Sequence, residues 1–90
     1  MNVRRTIHFS GRVQGVGFRF TAVHVSRGFQ VTGTVRNLMD GRVELVAEGE
    51  PSEIDRFVDA IGVQMGDLIH DTRCVESPAT DQYESFGISY

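Results

Sequence analysis

Three glycines and a closing arginine within nine residues are the first sign of chemistry in this chain. The run is Gly11-Arg12-Val13-Gln14-Gly15-Val16-Gly17-Phe18-Arg19. Glycine lets a backbone turn its N–H groups inward, because it tolerates positive φ without a steric penalty. Successive N–H groups then line a concavity that suits an anion, and a helix N-terminus adds positive partial charge. A guanidinium can close such a cup with two parallel hydrogen bonds. The expected ligand is a small anion, a phosphoryl group first of all. The backbone N–H groups of Gln14, Gly15, Val16, Gly17, Phe18 and Arg19 are the candidate donors, with the Arg19 side chain as the clamp. Asn37, a lone amide at the end of an alternating apolar segment, is the second candidate side chain.

Other chemistries find less support. His8, His24 and His70 are scattered and read as surface or edge histidines. Cys74 has no neighbouring histidine and no helix N-terminus before it, so it reads as a packing residue and not as a nucleophile. A cysteine that attacked phosphorus would have to stand inside the glycine loop, which holds Gly17 instead. No Cys/His spacing suggests zinc and no acidic loop suggests calcium, so neither a metal nor a cofactor is expected.

The elements that would position Arg19 and Asn37 follow from periodicity. Residues 3–10 alternate, with Val3, Arg5, Ile7 and Phe9 on one face and Arg4, Thr6, His8 and Ser10 on the other. Residues 18–28 carry Phe18, Ala22, Val25 and then Phe29 at helical spacing, and Gly28 is a stop signal. Residues 29–38 alternate again, Met39-Asp40-Gly41 reads as a tight turn, and 42–48 continue as a strand with Val43, Leu45 and Ala47 inward. Pro51 opens a second helix with Ile54, Phe57, Val58 and Ile61 on one stripe, loosened at its end by Gly62 and Gly66. Residues 67–76 form a weaker strand, and 83–90 a last one. The order β-α-β-β-α-β plus a final strand predicts an α+β fold in one domain, residues 1–90. It is the split βαβ, or ferredoxin-like, arrangement: an antiparallel sheet with two helices on one face.

That order brings the candidates together. A β-α-β crossover leaves its two strands pointing the same way, so the ends of the first two strands and the start of the first helix share one edge. Alternation puts Asn37 on the face of Val31 and Val35, aimed at the mouth of the cup.

Composition narrows the class further. Residues 1–42 hold seven arginines and one acid, Asp40, for +6; residues 43–90 hold two arginines and eleven acids, for −9. The electropositive half is the half with the cup, where it would gather a small anion. The acidity of the rest argues against a nucleic-acid binder, which needs a broad basic surface. An RNA-recognition domain shares the strand order, but it needs exposed aromatics on the central strands. Here Glu44 and Glu48 point outward and Phe9 inward. No apolar run approaches the length of a membrane span, and the first residues lack a signal core. With one cysteine and no possible internal disulfide, a reducing cytoplasm is the expected compartment. A small monomer is the simplest assembly.

The cup motif, followed by Gly33-Thr34-Val35-Arg36-Asn37 and Asp40-Gly41-Arg42-Val43-Glu44, resembles the acylphosphatase family, and the resemblance spans about the whole chain. It implies hydrolysis of small acyl phosphates to carboxylate and inorganic phosphate, with no metal or cofactor. By motif position, Arg19 matches the family's substrate-binding arginine and Asn37 its water-positioning asparagine. Three departures stand out: Thr34 where the family often has tryptophan, the stretch 62–67 without the usual Gly-Pro, and Gly87 in the last strand. The alternative reading is a non-catalytic phosphate-binding module on the same fold.

Overall fold

The computed structural model describes residues 1–90. The elements run β1 (Val3–Gly11), α1 (Phe18–Ser26), β2 (Thr32–Asn37), β3 (Val43–Gly49), α2 (Pro51–Met65), a 3-10 turn (Gly66–Leu68), β4 (Ile69–Pro78) and β5 (Phe86–Ile88). They build one five-stranded sheet in the order β4-β1-β3-β2-β5. Both helices pack on the same face, α1 over β2 and β5 and α2 over β3. Between the layers lies a core that includes Ile7, Phe9, Val35, Val43 and Leu45 from the sheet and Phe18, Ala22, Ile54, Phe57 and Ile61 from the helices. Each large side chain buried in this way contributes roughly 1.5–3 kcal/mol.

The sheet is mixed, where an antiparallel one was expected. β1 pairs antiparallel with β3 and β4, and β2 with β3, but β5 pairs parallel with β2. The reason is the route of the chain. β4 ends at the edge where β1 begins, residues 79–85 then cross to the far side of β2, and the chain must return in the direction of β2. The last strand is also shorter than residues 83–90, because only Phe86–Ile88 find a partner.

Other boundaries move for local reasons. β2 starts at Thr32, not at residue 29, since Phe29 sits in the turn after α1. Within α1 the buried positions are Phe18, Ala22 and Ser26; Val25 is half-buried, and the Ser26 hydroxyl is satisfied by donating to the Val23 carbonyl. Gly62 stays helical inside α2, which stops only at Gly66. β4 is an exposed edge strand along nearly its whole length, which explains its poor alternation: neither face is covered. Cys74 lies there exposed and is not packed in the core. Desolvation of the sulfur and the nearby Glu76 and Asp55 hold its thiol above the usual range, outweighing Arg5. Gly33 is fixed by contact, because a Cβ at its φ of 142° would stand 1.8 Å from the Val46 carbonyl oxygen.

The face without helices is not bare. Glu48 points to that side as expected, yet it is only 4% exposed. The crossing segment lies over it. Its carboxylate accepts from the Thr80 N–H and hydroxyl, from the Asp81 N–H at 2.9 Å, and from Arg4 Nε at 2.7 Å. The Arg4 guanidinium stacks over the Tyr83 ring, 5.4 Å from its centroid. Burial pushes the Glu48 carboxyl up, but these donors outweigh it and bring the pKa down to about 2.

Candidate active site

Two buried side chains pin the glycine loop. Val13 is fully buried, and Phe18 packs against Phe9 of β1 with ring centroids 4.9 Å apart. Between these anchors the chain stays at the surface and turns on itself. Gly15 has φ 76° and Gly17 φ 77°, values that L side chains adopt only with strain. Gly17 is the N-cap of α1, and no side chain caps the helix. The first bond closing the helix runs from the Thr21 N–H to the Gly17 carbonyl. The N–H groups of residues 15–20 therefore donate to no protein acceptor. They lie in the loop before α1 and in its first turn, at the positive end of the helix dipole, a position that favours anions.

Arg19, half-buried in the first turn of α1, makes no ion pair. Six of the nine arginines do: Arg4, Arg5, Arg36, Arg42, Arg56 and Arg73. The Arg19 guanidinium lies over the ring of Tyr90, 5.5 Å from Cζ to centroid. Asn37 is the last residue of β2 and its amide has no hydrogen-bond partner in the protein, unlike an asparagine whose side chain closes its own turn. Arg19 and Asn37 line one cleft of about 220 Å³ with Val13, Gly15, Gly17, Phe18 and Phe20. No histidine, cysteine or carboxylate lines it.

The loop residues expected from sequence divide by role. Gly15, Gly17, Phe18 and Arg19 line the cleft, whereas Val16 turns its half-buried side chain to the core. Gln14 does something the sequence did not reveal. Its side-chain amide donates both hydrogens across the mouth, to the Leu38 carbonyl at 2.7 Å and the Arg42 carbonyl at 2.9 Å. Phe20 and Tyr90 were missed as well. Tyr90 reaches Arg19 because β5 runs parallel to β2, a direction no residue pattern signalled.

The histidines stay apart from the cleft. His24 and His70 are exposed, and His8 meets Glu44 on the open face of the sheet at 3.0 Å. The largest cleft in the molecule, about 720 Å³, lies at the opposite edge. Glu48, Glu50, Glu53 and Asp81 line it against a single guanidinium, Arg56, a polarity that repels a dianion.

A sequence model of the acylphosphatase family, described simply as acylphosphatase, matches residues 5–88. The chain belongs to the acylphosphatase family. An acylphosphatase of Archaeoglobus fulgidus is 42% identical over 86 residues, covering 93% of this chain and 94% of that protein. One from Listeria monocytogenes is 37% identical over 86 residues, covering 93% and 92%. The crystal structure of acylphosphatase from Bacillus subtilis superposes with a TM-score of 0.89 at 34% identity, over 98% of this chain and 99% of that one. The chain is thus a hydrolase of acyl phosphates, releasing carboxylate and inorganic phosphate. The three departures from the family pattern do not touch the cleft. Thr34 faces the open side beside Val46, residues 62–67 lie in the end of α2 and the turn after it, and Gly87 sits in β5.

Proposed function

We propose that the cradle binds the phosphoryl group of the acyl phosphate and that Arg19 and Asn37 divide the remaining work. The observation that carries this reading is a surplus of unpartnered polar groups. The N–H groups of residues 15–20, the Arg19 guanidinium and the Asn37 amide all lack hydrogen-bond partners in the protein, and both side chains line one small cleft. Apart from Arg19 and Asn37 the cleft is lined by glycine and apolar side chains, so its polar groups serve the phosphoryl group and none is left to select the acyl part.

In this reading Arg19 donates two hydrogen bonds to phosphoryl oxygens, while the loop N–H groups hold the others. Arg19 stays protonated throughout and is no base. The Asn37 amide accepts from and donates to a water in line with the bond to be broken. Water oxygen attacks phosphorus, the bond from phosphorus to the acyl oxygen breaks, and the carboxylate leaves with the electron pair. Since no titratable base lines the cleft, the water's proton passes to a phosphoryl oxygen. Such chemistry asks the protein for position and fixed charge above all. One chain supplies every residue named, which suits a monomer, and the single free cysteine suits a reducing cytoplasm.

Removal of one preorganised donor costs on the order of 3–4 kcal/mol of barrier, about 100- to 1,000-fold. Asn37→Ala is expected to lose turnover of benzoyl phosphate by that factor while inorganic phosphate still inhibits at its wild-type concentration. Full activity in Asn37→Ala would remove Asn37 from the reaction.

A further inference from the structure

We propose that Gln14 is a positioning residue: its side chain sets the distance between the phosphate cradle and Asn37. The cradle belongs to the β1–α1 loop and Asn37 to the end of β2, and the two approach each other only across the mouth of the cleft. The last backbone pairing near the mouth is Phe9 with Val43 and Asn37 with Val43. Beyond it, the hydrogen bonds that join the loop to the β2–β3 turn are the two from Gln14 Nε2, to the Leu38 and Arg42 carbonyls. Leu38 follows Asn37 directly in the chain, so the amide holds the carbonyl of the residue next to the water-positioning one.

The turn itself does not depend on Gln14. The Leu38 N–H already donates to the Arg42 carbonyl at 2.8 Å, the Gly41 N–H donates to the Leu38 carbonyl at 3.2 Å, and the Asp40 carboxylate accepts from the Arg42 N–H. Gln14 therefore adds a second bond to each of two carbonyls that are satisfied without it. Its contribution is orientation of one part of the site against another. A displacement of about 1 Å in a reacting group can cost on the order of 100-fold in rate, so a clamp of this kind bears on turnover more than on binding. The inference rests on Asn37 holding the attacking water.

Gln14→Met keeps the length of the side chain and removes both donors. In the full chain, with benzoyl phosphate as substrate, kcat is expected to fall about 10-fold or more. The inhibition constant of inorganic phosphate should stay within about twofold, because the N–H groups and Arg19 remain. In an Asn37→Ala background the same substitution should cause no further fall, since two residues acting through one step are not additive. Gln14→Asn, which keeps the amide but cannot reach, should behave alike. Unchanged kcat, a loss of phosphate affinity as large as the loss of kcat, or a full additional loss on top of Asn37→Ala would each overturn the proposal. So would loss of the folded state in both variants, since Gln14 would then hold the fold and not the hairpin alone. If Asn37→Ala alone is inactive while Gln14→Met is not, the role of Asn37 survives and that of Gln14 does not.

Discussion

Two places in this molecule gather an arginine and backbone N–H groups around one point. At the edge where β1 begins, Arg4 and the N–H groups of Thr80 and Asp81 surround the carboxylate of Glu48. At the opposite edge, Arg19 lines a cleft beside the unpaired N–H groups of residues 15–20, and no carboxylate side chain lines it. The first set is closed: its anion is part of the protein, and every buried side-chain polar atom in the molecule has a partner. The second set is open to an anion from solution. The same kinds of donor serve stability where the sequence supplies the anion, and are proposed to bind phosphate where it does not. Charge alone would not separate the two, since both contain an arginine; the glycines do. Gly15 and Gly17 hold positive φ, and the N–H groups around them are left without a protein acceptor.

On that contrast, the two arginine sites are expected to answer differently to substitution. Arg19→Ala has the largest expected effect, about 1,000-fold in kcat/KM, with loss of phosphate inhibition and little change in Tm. Glu48→Ala should do the reverse. It leaves Arg4 and the N–H groups of the crossing segment without their anion, at a cost of about 3–5 kcal/mol, seen as a fall in Tm of more than about 10 °C. Its kcat at a temperature where it is folded should match wild type. A Glu48→Ala protein as stable as wild type would show that the crossing segment is held by something else.

Acid separates the regions more finely. Glu48 has a folded pKa of about 2 against an ordinary 4.5. A depressed carboxyl contributes stability that is complete above the ordinary value and disappears as pH falls through the folded one. Wild-type stability from denaturant titrations should therefore drop between about pH 4.5 and 2, and the drop should be shallower in Glu48→Gln. A wild-type profile flat over that range would contradict the account of Glu48. The smallest effect is expected at Tyr90, whose exposed ring lies over Arg19. A cation–π contact of this kind is worth about 0.5–1 kcal/mol, so Tyr90→Ala should weaken phosphate inhibition by about two- to fivefold.

The cleft was more legible in the sequence than the closed site opposite it. Arg19, Gly15 and Gly17 sit within five residues, and local spacing is enough to read a loop and a helix start. Asn37 required one further step, the β-α-β crossover, which depends only on element order. Glu48 was read as an outward-facing residue, and alternation did place it on the correct face. Its burial comes from residues 79–85, which have no periodicity and lie some thirty positions away in sequence, so nothing local announced it. The parallel direction of β5 was hidden for the same reason, and Tyr90 with it. Gln14 shows a third limit: its side chain bonds to backbone carbonyls, which every residue type carries, so no partner residue marks the contact. Cys74 misled because an apolar habit was assumed for a strand that turned out to be an edge.

Steady-state hydrolysis of benzoyl phosphate by the wild-type chain beside Arg19→Ala, both with a chelator present, tests the proposed catalytic role of the open donors. Turnover in the wild type is expected to be unchanged by the chelator, with a loss of about 1,000-fold in a variant that still melts as wild type does. Equal turnover by the two proteins, or none from a folded wild type, would contradict that role.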